Sequence, residues 1–180
     1  MKLILKILFN SLLIISLSGC AFQNLDEYAN EKPSFNLQRF FDGNITGWGI
    51  VQDRSGLVTK RFVVEIIGEF NENEGTLDEQ FKWSDGKTEQ RIWKLKKLNS
   101  TQWIGTADDV VGEAIGTISG NTLKWEYILK LPLDNGSVNV KFDDWMYLVD
   151  EKVLMNKAQF SKFGFVLGEV TLSFIKASNL

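Results

Sequence analysis

The sequence predicts an all-β protein: one antiparallel β-barrel of about ten strands, preceded by a secretory leader and a short polar segment. Three observations carry this. From Phe35 onward, short apolar or alternating runs of about 8 to 13 residues recur between turn signals, among them RSG at 54, NENEG at 71, SDG at 84, NS at 99, GN at 120 and DNG at 134. Hairpin registers set by those turns place apolar residues opposite apolar ones. Around Gly120-Asn121 they place each large residue opposite a small one, which gives a tightly curved wall room for aromatics.

The chain opens MKLILKILFNSLLIISLSGC. Lys2 and Lys6 make a basic start, residues 7–17 are apolar, and small residues precede Cys20. That is the layout of a secretory signal, and the run falls short of the about 20 residues that span a bilayer. Leu17-Ser18-Gly19-Cys20 resembles the bacterial lipobox. It predicts removal of residues 1–19 and acylation of Cys20, the only cysteine. Several acyl chains hold a protein firmly where one chain holds it marginally. With Ala21 and Phe22 where an inner-membrane retention aspartate would stand, the expected address is the outer membrane, facing the periplasm. Loss of Lys2 and Lys6 takes the formal charge from −3 to −5. This argues against nucleic acid as a partner, since that binding rests on Lys and Arg neutralising phosphates. An acylated Cys20 leaves no thiol for a disulfide, so packing alone must stabilise the fold.

Residues 20–34 read as a lipidated tether, polar with one Pro and no sustained period, and 35–180 as the barrel domain. Residues 35–42 suit either a short helix or a strand. The candidate strands are 45–53, 57–70, 76–83, 87–98, 101–110, 111–119, 122–133, 137–149, 152–160 and 163–176. For Ser84-Asp85-Gly86, a three-residue loop with Gly in the left-handed region pairs Glu79 with Arg91 and Leu77 with Trp93. The Gly120-Asn121 loop sets Gly116 against Trp125, Ala114 against Tyr127 and Gly112 against Leu129. Asn135-Gly136 is a strong two-residue turn signal that pairs Leu131 with Val140, Tyr127 with Asp144 and Trp125 with Met146. It also sets Pro132 opposite Asn139, where its missing N–H calls for a bulge or an edge.

The chain has no histidine. Histidine-dependent nucleophilic catalysis and His-ligated metal sites are therefore excluded. No G-x-S-x-G elbow, P-loop or nucleophile-base pair is present, so no enzymatic activity, cofactor or metal is expected. By strand parity, Asp143 points outward and Asp144 inward with Phe142 and Met146, so the two acids are not an acid/base pair. An inward carboxylate needs a partner or a proton. The register offers Tyr127 across from it, with Arg91, inward beside Glu79, as a second choice. The candidate ligand-binding residues are Asp144, Tyr127, Arg91 and Glu79 as polar contacts and Trp125, Trp93 and Phe81 as apolar wall. Trp145 and Tyr147 fall on the outer face, where they suggest a partner-facing or membrane-facing patch unless a bulge near 143 turns them inward. Asp108, Asp109 and Glu113 lack the spacing of a calcium loop, and strand alternation explains them.

Several long runs resemble a family of uncharacterised proteobacterial lipoproteins described as lipocalin-like: FFDG at 40–43, GWGIVQDRSG at 47–56, KWSDG at 82–86, ADDVVGEAIG at 107–116, FDDWM at 142–146 and FGFVLGEVTLSF at 163–174. The resemblance implies a role with lipid and assigns no activity. Lipocalins proper carry G-x-W, whereas here Gly47 and Trp48 are adjacent. The functional expectation is an outer-membrane-anchored periplasmic lipoprotein that binds or transfers a hydrophobic ligand, a fatty acid or a phospholipid. The alternative is a filled barrel acting as an envelope protein-interaction module through Trp145 and Tyr147. A void of a few hundred Å³ would favour the first and a packed interior the second.

Overall fold

The alternation of the sequence becomes ten antiparallel strands, each paired with its neighbours in chain order. In the computed structural model, which describes residues 23–133 and 135–177, they are β1 (Gly43–Asp53), β2 (Val58–Phe70), β3 (Glu74–Trp83), β4 (Thr88–Lys97), β5 (Gln102–Thr106), β6 (Ala114–Ser119), β7 (Thr122–Leu133), β8 (Gly136–Leu148), β9 (Val153–Lys162) and β10 (Phe165–Lys176). β1 pairs with β10 from Ile45 opposite Lys176 to Asp53 opposite Gly168, so the sheet closes on itself and no strand edge is left open. This is the lipocalin-like up-and-down barrel that the sequence predicts. The leader and Cys20 lie outside the described residues.

One end is closed from within the chain. Leu37, Phe40 and Phe41 follow helical spacing, and the Asn36 side chain accepts the N–H of Arg39 at 2.9 Å as an N-cap. Residues 35–42 therefore contain a helix, α1 (Leu37–Phe41), with all three apolar residues buried in the barrel's lower end. Lys176 Nζ donates to the carbonyl oxygens of Phe40 at 3.0 Å and Asp42 at 2.7 Å, placing a cation on the C-terminal carbonyls that a helix leaves unpaired. Phe41 meets Phe174 edge to face at 5.9 Å. Burial of such side chains stabilises by about 1.5–3 kcal/mol each. The other end, ringed by the β1–β2, β3–β4, β7–β8 and β9–β10 hairpins and the β5–β6 connection, forms the mouth.

Two of the three hairpin registers are those expected. Glu79 faces Arg91, and Leu77 faces Trp93. Gly116 faces Trp125, so closely that a Cβ on Gly116 would stand 2.2 Å from the indole. The third register is corrected by two residues: Leu131 faces Val138, Tyr127 faces Phe142, and Trp125 faces Asp144. The strand resumes at Gly136 with φ +128, which moves the turn one residue earlier than an Asn135-Gly136 loop would put it. Pro132 therefore faces Ser137 rather than Asn139. A slip of two preserves every inward and outward assignment while changing every partner.

β5 and β6 are shorter than the candidate strands 101–110 and 111–119. Between them, Val110 bridges to Leu129, the position expected for Gly112, and Lys130 N–H donates to the Asp109 carbonyl at 2.8 Å. The connection thus leans along β7 at the mouth. Residues 24–34, read as tether, lie against the outer wall near the closed end. A single 3-10 turn, Leu25–Tyr28, carries the Tyr28 ring to 6.2 Å from Trp145 and 5.7 Å from Tyr147. Trp145 is buried as a result. The outward aromatic patch is real, but the chain's own N-terminal segment covers it.

Candidate ligand-binding site

Above α1 the barrel holds a cavity of about 390 Å³. Small residues on neighbouring strands account for part of its shape: the Trp125 indole lies flat over Gly105 and Gly116, so a large ring fits against the wall without crossing the lumen. Trp93 meets Trp125 edge to face at 5.7 Å and Tyr127 at 5.5 Å. Tyr127 stacks on Phe142 at 5.0 Å, and Phe142 on Phe160 at 5.5 Å. Aromatic faces and edges thus form a continuous apolar lining. All seven candidate residues, Asp144, Tyr127, Arg91, Glu79, Trp125, Trp93 and Phe81, line this one cavity.

The polar groups occupy two levels. Nearer the mouth, Arg91 reaches in from β4. Its Nε donates to Asp109 Oδ2 at 2.9 Å and its Nη2 to the same oxygen at 2.7 Å, while Nη1 lies 3.7 Å from Glu79 Oε2. The guanidinium also sits 5.5 Å from the Phe81 ring centroid. Burial disfavours its charge, but the hydrogen bonds it donates to Asp109 outweigh that and hold it firmly protonated. Glu79 is pushed up to about 7, first by burial and then by the repulsion of Asp109 and Asp144, against the attraction of Arg91.

Deeper, Asp144 on β8 is buried beside Asn156 on β9. The Asn156 amide donates to Asp144 Oδ1 and, at 3.1 Å, to the Trp145 carbonyl. Burial pushes the Asp144 carboxyl up to about 7, with the Asn156 hydrogen bond opposing. The partner expected for Asp144 is therefore corrected. Tyr127 lies diagonally from it rather than across, and Asn156 on the other neighbouring strand takes the carboxyl. Burial, then the nearby Asp144 charge, raises the Tyr127 phenol well above its ordinary value.

Asn156 and Asp109 are the two residues that sequence reasoning missed. Asn156 had a usable signal, since Leu154, Asn156, Ala158 and Phe160 share one parity in strand 152–160 and the polar residue among them must point inward. Asp109 had none. It lies in the irregular connection between β5 and β6, and strand alternation does not apply where there is no strand. Asp143 is half-buried on the outer face, 3.4 Å from Lys124, well separated from the lumen.

Residues 14–176 match the family described as "Protein of unknown function (DUF3833)". No curated protein matches the chain in sequence. Among solved structures, the S-type phycobiliprotein lyase CPES from Guillardia theta superposes with a TM-score of 0.62 at 7% identity, over 88% of this chain and 100% of that one. Rv2717c from M. tuberculosis gives 0.57 at 13% identity, over 83% and 100%. At these identities the likeness is one of fold.

Proposed function

We propose, for a chain that belongs to the DUF3833 family of proteins of unknown function, that the barrel binds a hydrophobic ligand in its lumen. The supporting observation is the aromatic-lined cavity of about 390 Å³, which carries a few convergent polar groups at one side. Ligand pockets span about 300–1,000 Å³, and this one stands at the lower end, suited to a single acyl chain or a flat ring system rather than a whole two-chain lipid.

The charges refine the ligand. Arg91 is already matched by Asp109, and Glu79 and Asp144 add two acids to the same lumen, so a free carboxylate would enter a site with no unpaired cation. A lipid whose polar end is uncharged, or an acyl chain of a phospholipid whose headgroup stays at the mouth, fits better than an ionised fatty acid. In this reading Cys20 carries the acyl groups that hold the protein at the periplasmic face of the outer membrane. The leader layout supports that address.

Native mass spectrometry of the protein purified from its own cells, followed by lipid extraction, tests the proposal. The expected result is one co-purifying lipid per barrel and quenching of Trp93 and Trp125 fluorescence by an uncharged acyl probe. The absence of both would overturn it. Replacing Cys20 by Ala should abolish incorporation of a labelled fatty acid into the protein in growing cells, and labelling that persists in this variant would remove the anchor from the reading.

A further inference from the structure

The mouth of the barrel is asymmetric. In strand order, the hairpins β1–β2, β9–β10 and β7–β8 stand side by side, since β10 lies between β1 and β9 and β8 lies between β9 and β7. Their tips expose large apolar side chains: Leu57 is 65% accessible, Leu133 59%, Phe163 88% and Phe165 76%, with Val166 and Leu167 following. The other part of the rim is largely polar, with Ser84, Asp85 and Lys87 on the β3–β4 hairpin and Asp108 and Glu113 on the β5–β6 connection, where Val111 is the apolar exception.

Phe163 is doubly unfavourable where it stands. It is the only non-glycine residue with positive φ among the described residues, at +50°, in the first turn position ahead of Gly164 at +81°. Such a tip favours Asn or Gly, and a bulky residue there carries backbone strain. Its ring buries almost nothing in return. Folding gives no reason for this aromatic, and strain of this kind points to function. Basic groups accompany the apolar tips: Lys162 sits 4.9 Å from the Phe163 ring centroid, and Arg54 and Lys130 stand beside the neighbouring hairpins.

We infer that the apolar half of the rim is a membrane-docking surface, which inserts Phe163, Phe165, Leu57 and Leu133 among the headgroups of a bilayer containing anionic lipid and so brings the cavity mouth to the lipid. Exposed aromatic and aliphatic tips flanked by Lys and Arg match an interface that is oily inside and negatively charged outside. The inference goes beyond binding in the lumen and is independent of which ligand the lumen holds.

The test uses the chain from residue 20 onward with Cys20→Ala, so that no acyl group contributes, and vesicles of phosphatidylethanolamine with phosphatidylglycerol or of phosphatidylcholine alone. The unaltered rim should co-sediment with the anionic vesicles and at least tenfold less with the zwitterionic ones. Phe163→Asn with Phe165→Ser should lower vesicle binding at least tenfold. Phe163→Asn alone should raise the melting temperature by relieving the turn while still weakening binding, a combination that a purely structural Phe163 would not give. Uptake of an uncharged acyl probe from solution should be unchanged in all variants, which separates failure of docking from failure of ligand binding. Equal vesicle binding by the parent and the double variant, or none by the parent, would overturn the inference, and the latter would assign the rim to a protein partner.

Discussion

Asp109 grips Arg91 from a connection, not from a strand: its Oδ2 accepts from Nε at 2.9 Å and from Nη2 at 2.7 Å, and its own carbonyl is tied to Lys130 of β7. The one arginine in the lumen is thereby held in place, and its charge is spent before a ligand arrives.

Replacing Asp109 by Asn should release that charge. Arg91 then turns wholly to Glu79, which also loses the repulsion of Asp109, so Glu79 should titrate well below about 7. Carbon-detected NMR titration of the Glu79 carboxyl checks this. Adding Glu79→Gln to that variant should leave Arg91 unmatched, and the double variant should bind an ionised fatty acid at least fivefold more tightly than the parent, measured by quenching of Trp93 fluorescence, because a charge-assisted arginine contact becomes available.

Stability should fall as pH rises toward neutrality. Glu79 and Asp144 stand at about 7 in the folded chain, against ordinary values of 4.5 and 3.8. Between about pH 4.5 and 7 the folded state therefore binds more protons than the unfolded one, and unfolding free energy declines over that window, then levels off. Asp53 and Asp150, held low by hydrogen bonds from Ser55 and from the Lys152 amide respectively, act in the opposite sense and lose their contribution only below about pH 4. Denaturant unfolding at pH 5 and pH 8 should differ by on the order of 5 kcal/mol, and Asp144→Asn should reduce the difference by raising stability at pH 8.

A side chain at position 116 should collapse the shape of the lumen. Gly116→Val places carbon atoms where the Trp125 indole lies and forces that ring into the cavity. The expected loss is about 1–3 kcal/mol in urea unfolding, as for other overpacked cores. Uptake of an acyl probe should fall more than stability does.

The N-terminal segment should be separable from the barrel. A Cβ on Gly120 would stand 1.7 Å from the Tyr28 carbonyl oxygen, and Gly120 has φ +53. Gly120→Ala should lift residues 24–34 off the wall, with faster proteolytic cleavage there and a red-shifted Trp145 emission. The barrel itself should lose only about 1–2 kcal/mol, the strain of a left-handed turn residue.

Much of this architecture was legible in the residues. The ten strands, the inward face of Asp144, the Trp125–Gly116 contact and the Glu79–Arg91 pair follow from period-two alternation and from the chemistry of two turns, which are local properties. A one-residue shift of the β7–β8 turn changes every partner on that hairpin, yet leaves each side chain on its proper face. Asn156 was readable by parity alone. The burial of Trp145 under Tyr28 was not, because nothing in a polar stretch such as residues 24–34 states which wall it will meet.

By itself, then, the sequence determined which side chains line the lumen, because a strand's two faces are fixed by counting. Which of them touch was decided only when the sheet closed. Asp144 found Asn156 because β9 happens to flank β8, and Arg91 found Asp109 because the β5–β6 connection folds over the mouth. Contacts between strands and loops far apart in the chain depend on how a barrel curves and closes, and neither property resides in any local run of residues.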